Sequence, residues 1–201
     1  LEEARQITSG LLKVETDTTI KVLKVNRPNI VVILLEGWSA DAIESLGGDT
    51  GITPNFKKLE RDGILFTQHY ASGNRSDQGK VYEMSDFEKL YPRGKLGIHD
   101  EYMLKEFLKG MSSLKEPFFS MIFTVSSHSP YDFPREKTLQ FSALENEYLN
   151  SVHYSDQCLG EYFEHARKTD WYKNTLFIIV SDHGHGSQRN HSVLSKEYRK
   201  I

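Results

Sequence analysis

The chain has 201 residues, which is long enough for one hydrophobic core, so a single domain is expected. Its 25 basic and 28 acidic residues nearly balance and form no basic stripe, so the composition gives no sign of a nucleic-acid partner. No apolar run in the sequence approaches the roughly 20 residues of a membrane-spanning helix. The single cysteine, Cys158, excludes an internal disulfide framework.

The first strand is predicted at 29–35, after a polar lead-in at 1–27. Apolar residues run from Ile30 to Leu35 and stop at Glu36. This run is too short for a free amphipathic helix, and its β-branched residues suit a strand buried on both faces. A carboxylate directly after such a run is costly unless it is paired or bound to a cation. A surface carboxylate at a strand end is the alternative.

Helices and one short strand are predicted next along the chain. A short helix is expected at 41–46. A second helix begins near Thr53, as N-cap, and Pro54, as first residue. A short strand is expected at 64–67. A further helix begins near Asp100, which is interpreted as its N-cap.

The loop at 69–79 contains three hydroxyl side chains, a guanidinium and a carboxylate among glycines. Ser76 lies between Arg75 and Asp77. A hydroxyl is a weak nucleophile until a base or a metal lowers its pKa, and an adjacent arginine can hold an anionic substrate. A turn of Ser, Asn, Asp and Gly has the same composition. A catalytic loop and a plain turn are therefore both open at this point.

Two more buried strands are predicted, at 117–125 and 175–180, with a long helix at 143–169 between them. Strands that alternate with helices indicate an α/β fold, with a mostly parallel central sheet and helices on both faces. The expected domain is 28–201.

Polar groups of the kind that bind metals follow these strands. Asp182, His183 and His185 come directly after the last strand, and His128 follows the strand before it. In open α/β sheets, ligands bind beyond the carboxyl ends of the strands. Two parallel strands that deliver acidic groups to one edge, here with Glu36, can share one divalent ion. A polar loop that holds histidines is the alternative.

Four motifs occur in a fixed order along the chain: Glu-Gly-Trp-Ser closing 31–39, Gly-Asn-Arg-Ser-Asp-Gln-Gly at 73–79, Phe-Thr-Val-Ser-Ser-His-Ser-Pro-Tyr at 123–131, and Ser-Asp-His-Gly-His at 181–185. Together they resemble the sulfatase-like domain of the lipoteichoic acid synthase and phosphoglycerol transferase family, within the alkaline phosphatase superfamily. The resemblance extends from about residue 28 to the end, and it depends on the combination of motifs.

The resemblance implies a metal-dependent transferase or hydrolase at the bacterial cell membrane, with its catalytic domain outside the cytoplasm. Its substrate would be a membrane lipid or an envelope glycan. Carried over by motif, the ligands of one divalent cation would be Glu36, Ser76, Asp182 and His183. The cation would be Mn²⁺ first, with Mg²⁺, Zn²⁺ or Ca²⁺ as alternatives. Ser76 would also be the nucleophile that forms a covalent intermediate.

Three further roles follow from the same motifs. His128 would bind the substrate phosphate or the leaving group, and Arg75 would contact the phosphate. His185 would orient a metal ligand without binding the ion itself. Segment 1–27 would be the linker from an upstream bundle of transmembrane helices.

The chain also departs from the family. Only 80–96 separate the nucleophile loop from the Gly-Ile-His-Asp-Glu stretch, where relatives carry a longer segment. Relatives also continue past Ile201 with further strands and a helix, so the domain is expected to be incomplete at its C-terminal side.

Two rival functions remain. A sulfuric ester hydrolase shares the scaffold, but formylglycine sulfatases need a Pro two residues and an Arg four residues after the nucleophile. Gln78 and Lys80 stand at those positions after Ser76. The other rival is a sulfatase-like binding or regulatory domain without turnover. Fold alone does not decide between them.

Overall fold

The computed structural model describes residues 23–67, 69, 90–141 and 145–185. Within these ranges the main elements, in chain order, are β1 (Asn29–Leu35), α1 (Pro54–Asp62), α2 (Asp100–Met111), β2 (Phe119–Phe123), α3 (Asn146–Ala166) and β3 (Thr175–Ser181). Short 3-10 helices lie at Ala40–Ala42, Glu44–Leu46 and Asp170–Asn174. In the described ranges, no helix combines the length and the apolar character needed to cross a bilayer.

The three strands form one parallel sheet in the order β2-β1-β3, so β1 is central. In this register, Ile33 of β1 lies opposite Ile122 of β2 and Ile179 of β3. The predicted parallel α/β architecture is confirmed. Because the strands are parallel, their carboxyl ends meet at one edge, which is where the predicted site residues follow them.

One face of the sheet packs against the helices. Alternate side chains of β1, namely Val31, Ile33 and Leu35, are buried in a core that also includes residues of α2 and α3. Full burial of an aliphatic side chain of this size contributes about 1.5–3 kcal/mol to folding. On the opposite face, Phe119 and Ile178 are 65% and 43% exposed, and the described residues place no helix over them. The structure therefore describes one of the two predicted helix layers.

The N-terminus of helix α1 is capped by a side chain of helix α3 and not by its own N-cap residue. Thr53 occupies the N-cap position and Pro54 the first helical position, as predicted, but the side chain of Thr53 makes no capping hydrogen bond. Instead, the buried carboxylate of Asp156 on α3 accepts hydrogen bonds from the backbone N–H groups of Asn55 and Phe56, at 2.9 and 2.7 Å. An anion at a helix N-terminus satisfies unpaired N–H groups and complements the helix dipole.

Two local predictions are wrong. The segment at 41–46 is not one helix, because Ile43 is extended and separates two 3-10 turns. The segment at 64–67 is not a strand, and Ile64 and Phe66 are 70% and 73% exposed. Apolar and β-branched composition favours a strand only where a neighbouring strand and a buried face are present.

Candidate active site

Three predicted site residues meet at the carboxyl edge of the sheet. Glu36 directly follows β1, and Asp182 and His183 directly follow β3. One potential ligand atom from each residue lies within 4.8 Å of the other two. The Nε2 atom of His183 is 3.3 Å from Oε1 of Glu36 and 3.6 Å from Oδ2 of Asp182. These distances define a compact cluster of two carboxylates and one imidazole.

The two oxygens of the Asp182 carboxylate differ in their hydrogen bonds to the described residues. Its Oδ1 accepts hydrogen bonds from the backbone N–H groups of Gly37, at 2.9 Å, and His183, at 2.8 Å. Its Oδ2 is buried and has no hydrogen-bond partner among the described residues. Because an unsatisfied buried oxygen is costly, its retention calls for a ligand such as a cation. The donor set therefore fits a divalent metal.

The turn after β1 brings its backbone close to this cluster. Gly37 has φ of +62°, and a Cβ atom at this position would lie 3.7 Å from Cε1 of His183. A left-handed conformation is easy for glycine and strained for most other residues. Gly37 therefore lets the chain turn directly after Glu36 while its N–H donates to Asp182.

The imidazole of His183 is oriented by the backbone. Its Nδ1 donates to the carbonyl of Gly184 at 3.0 Å. This bond directs Nε2 towards the carboxylates, as is usual for a metal-binding histidine. The hydrogen bond from Nε2 to Glu36 raises the pKa of His183 to about 9. In the metal-free protein at neutral pH, a proton on Nε2 thus supplies the positive charge of the cluster.

The loop after β2 fixes the backbone of Glu36. Thr124 accepts a hydrogen bond from the N–H of Glu36 at 3.0 Å, and Ser127 donates to the carbonyl of Glu36 at 2.6 Å. Glu36 itself is 3% exposed. Both backbone groups of this residue are therefore held by hydroxyls of the neighbouring strand's loop.

Asp100, which the sequence indicated only as a helix cap, organises the same loop. Helix α2 begins at Asp100, with His99 as N-cap, and the side chain of Asp100 accepts hydrogen bonds from other parts of the chain. Its Oδ1 accepts from the N–H groups of Val125 at 2.9 Å and Ser126 at 3.2 Å, and its Oδ2 accepts from Ser155. Burial raises the pKa of Asp100, and these hydrogen bonds oppose that rise. The prediction of Asp100 as N-cap is wrong.

His128 lies in this loop, on the predicted edge. Its side chain is exposed, and Nδ1 donates to the carbonyl of Ser129 at 2.7 Å. It is close enough to His185 for its charge to contribute to lowering the pKa of that residue. The structure thus brings His128 to the same edge as the cluster, while its role with a substrate stays a prediction.

His185 contacts two tyrosines. Its Nε2 is 2.7 Å from Oη of Tyr131, and its ring stacks on Tyr148 at 3.7 Å between centroids. Burial lowers the pKa of His185 to about 4. Sequence reasoning assigned no role to either tyrosine, although Tyr131 closes the motif at 123–131. The predicted nucleophile Ser76 and its neighbour Arg75 lie outside the described residues, so their roles also stay predictions.

The sequence also matches a known family. A model of the Sulfatase family matches residues 28–80 and 75–200. The chain belongs to the Sulfatase family. This sulfatase family member is 29% identical over 116 residues to lipoteichoic acid synthase from Staphylococcus aureus strain USA300, a match that covers 55% of this chain and 17% of that protein. The chain therefore spans less than a fifth of the curated relatives that it matches.

Solved structures show the same fold. A protein in the alkaline phosphatase superfamily from Vibrio parahaemolyticus has a TM-score of 0.72 at 26% identity, over 89% of this chain and 59% of that one. The lipoteichoic acid synthase LtaP from Listeria monocytogenes has a TM-score of 0.65 at 16% identity, over 85% and 60%. The phosphoethanolamine transferase EptA from Neisseria meningitidis has a TM-score of 0.63 at 16% identity, over 85% and 44%. The predicted sulfatase-like fold is confirmed.

Proposed function

We propose that this chain forms part of the catalytic domain of a metal-dependent enzyme that transfers or hydrolyses a phosphodiester head group. One observation carries the proposal: Glu36, Asp182 and His183 converge with ligand atoms within 4.8 Å, and Oδ2 of Asp182 is buried without a hydrogen-bond partner among the described residues. Membership of the Sulfatase family supports ester chemistry at this edge. Similarity to a lipoteichoic acid synthase supports a phosphoglycerol-type head group.

The three clustered residues would hold one divalent cation, with Mn²⁺ as first choice and Ser76 as a fourth ligand. When bound, such a cation lowers the pKa of a hydroxyl and withdraws charge from phosphoryl oxygens. The carboxylates of Glu36 and Asp182 and the oriented Nε2 of His183 are the donor types that Mn²⁺, Mg²⁺ and Zn²⁺ accept.

In this reaction, each proposed site residue of the protein has a separate role. Oγ of Ser76 would lose its proton to solvent and attack phosphorus while the bond from phosphorus to the oxygen of the lipid alcohol breaks, which leaves the head group on Ser76. His128 binds the substrate phosphate or supplies a proton to the departing alkoxide. Arg75 contacts a phosphoryl oxygen, where a guanidinium is well suited to an anion. Attack by an acceptor hydroxyl, or by water, then regenerates Ser76.

We further propose that the reaction takes place at the outer face of a bacterial membrane, on a lipid or an envelope glycan. Segment 1–27 would connect the domain to an upstream membrane bundle. This location is supported by the names of the relatives, which include a lipoteichoic acid synthase and an integral membrane phosphoethanolamine transferase.

The nucleophile test compares the intact wild-type protein with Ser76→Ala, in Mn²⁺ and a fluorescent phosphatidylglycerol. Ser72→Ala in the same loop is the matched control. We expect metal-dependent release of diacylglycerol and a glycerophosphoryl adduct by intact mass. Ser76→Ala should lose the adduct and at least about 10³-fold in rate, while Ser72→Ala keeps both.

A parallel assay with an aryl sulfate tests the sulfuric ester alternative. Turnover of the sulfate alone would replace the phosphodiester assignment. If wild-type protein binds Mn²⁺ but turns over neither ester, the chain is a binding domain and the proposal fails.

The role of His128 has a closely matched control on α3. His165 is also exposed, and its Nδ1 bonds to the carbonyl of Glu161 at 2.8 Å, much as His128 bonds to Ser129 at 2.7 Å. His128→Asn should lower kcat by about 10²-fold or more if His128 serves the phosphate or leaving group. His165→Asn should leave kcat unchanged. Equal rates for both variants would remove His128 from the mechanism.

A further inference from the structure

The hydroxyl of Tyr131 lies where the loops after all three strands meet, and none of the roles proposed above uses it. Tyr131 lies in the same loop after β2 as His128. Its Oη is 2.7 Å from Nε2 of His185, which lies in the loop after β3. One hydrogen bond therefore joins two loops of the candidate active site.

The His185 ring is held in place by Tyr148 of α3. The two rings stack nearly parallel, with centroids 3.7 Å apart and planes inclined by 10°. Tyr148 is buried, and its hydroxyl donates to the carbonyl of Gly37 at 2.8 Å and accepts from the N–H of Ser39 at 3.3 Å. Tyr148 thus fixes the loop after β1 and His185 together, and His185 fixes the Tyr131 hydroxyl.

The burial of Nδ1 of His185 indicates whether His185 or Tyr131 donates the hydrogen bond between them. Nδ1 is buried and has no hydrogen-bond partner within the described ranges. A neutral imidazole carries one N–H, and a buried unpaired N–H donor is rarer in proteins than an under-satisfied acceptor. The proton therefore belongs on Nε2, which donates to Oη of Tyr131. Among the described residues, the O–H of Tyr131 then has no acceptor and can donate to another group.

Tyr131 is also close to the cluster of carboxylates. Burial raises the pKa of Tyr131, and the nearby charge of Glu36 raises it further. A phenol has an ordinary pKa of about 10 and is therefore a hydrogen-bond donor at neutral pH. Its ring also packs edge-on against Tyr148 at 6.1 Å, which restricts its rotation.

We propose that Tyr131 is a substrate-positioning residue whose O–H, oriented by His185, donates to an oxygen of the phosphate or sulfate ester bound at Glu36, Asp182 and His183. This inference rests on the proposed function. A hydrogen bond to an anionic oxygen is stronger than one between neutral groups. Removing it should cost about tenfold to a hundredfold in affinity for the anion or in kcat/KM.

The direct test is Tyr131→Phe in the intact Mn²⁺-loaded protein. The matched control is Tyr91→Phe, which removes a hydroxyl that donates to Glu106, in the middle of α2, at 2.6 Å. We expect Tyr131→Phe to weaken the binding of inorganic phosphate and to lower kcat/KM about tenfold or more, with unchanged affinity for Mn²⁺. Phosphate affinity equal to that of Tyr91→Phe would overturn the proposal.

A second variant separates orientation from structural support. If His185 acts through Tyr131, His185→Gln as a single substitution should weaken phosphate binding. Added to Tyr131→Phe, it should cause no further loss. Additive losses of phosphate affinity in the double variant would overturn the proposed chain of contacts. A thermal melt of each variant reports stability separately from these binding values.

A structure of the wild-type protein with Mn²⁺ and phosphate tests the contact without any substitution. Oη of Tyr131 should lie within about 3.2 Å of a phosphate oxygen. A phosphate bound at the cluster with Oη beyond hydrogen-bond distance would overturn the proposal. Absence of turnover by the wild type would contradict the proposed function, whereas phosphate binding still tests Tyr131, so the two failures are distinguishable.

Discussion

Asp100 at the start of α2 accepts a hydrogen bond from the N–H of Val125, the second residue after β2, at 2.9 Å. The same carboxylate also accepts from Ser126 and Ser155 and is 1% exposed. Through this one side chain, helices α2 and α3 hold the loop that carries His128. The position of a predicted substrate-binding residue thus depends on a buried carboxylate that is not one of the proposed metal ligands.

Asp100→Ala should destabilise the 201-residue chain by about 2–4 kcal/mol, because it leaves three donors buried without their acceptor. Asp100→Asn keeps one acceptor oxygen and should cost less. Urea unfolding measures both. The control is Asp132→Ala, which removes one exposed hydrogen bond, from the N–H of Lys95 at 2.7 Å. A loss for Asp100→Ala no larger than for this control would contradict the proposed role.

The carboxylate that caps α1 gives a similar prediction of stability, at a position outside the candidate active site. Asp156→Ala removes the acceptor of the N–H groups of Asn55 and Phe56 and should cost about 2 kcal/mol in urea unfolding. The control is Glu164→Ala on α3, the helix that also carries Asp156. It removes an exposed ion pair with Lys168 and should cost under about 0.5 kcal/mol. Mn²⁺ affinity should not change in either variant. A stable Asp156→Ala variant would show that α1 needs no cap.

The pKa of His183 predicts how stability depends on pH in the metal-free protein. The folded-state pKa of about 9 exceeds the value of about 6.5 in an unfolded chain. A raised histidine pKa stabilises the fold fully below pH 6.5 or so, and the contribution is lost as pH rises through about 9. A shift of this size corresponds to about 3 kcal/mol at full strength. Solvent screening of this partly exposed side chain reduces the expected loss to about 2 kcal/mol across this window, measured by urea unfolding with a chelator. His183→Gln should show a flat profile over the same pH range, and a flat wild-type profile would contradict the assignment.

The same proton links metal binding to pH. Because His183 is protonated below pH 9, a cation that binds Nε2 must displace that proton. The apparent affinity for Mn²⁺ should rise by about tenfold per pH unit from pH 7 to 9. Calorimetry in two buffers with different ionisation enthalpies should detect release of about one proton per ion. No dependence on buffer or pH would place His183 outside the metal site.

The sequence was sufficient for the parts that depend on local pattern. The short apolar runs before Glu36 and Asp182 predicted β1 and β3 and the edge where their polar residues meet. The contacts of Asp100, Asp156 and Tyr131 could not be predicted, because each partner is distant along the chain. Ser155 is 55 positions from Asp100, and Phe56 is 100 positions from Asp156. Such pairs depend on how α2 and α3 pack, which hydrophobic periodicity alone does not determine.

The failed prediction at 64–67 has a related cause. Ile64, Leu65 and Phe66 have the composition of a strand, but strand formation depends on pairing as well as on local preference. The described residues provide no paired neighbour for this segment.

Titration of Mn²⁺ into metal-free wild-type protein and Asp182→Asn tests the proposed metal centre most directly. Asn keeps the oxygen that accepts from Gly37 and His183, at 2.9 and 2.8 Å, and replaces Oδ2, which has no hydrogen-bond partner among the described residues, by an amide nitrogen. Asp170→Asn, an exposed site before β3, is the control. We expect one ion per chain in the wild type and the control, and at least about 100-fold weaker binding in Asp182→Asn. Equal affinity in all three proteins would contradict a metal site at Glu36, Asp182 and His183.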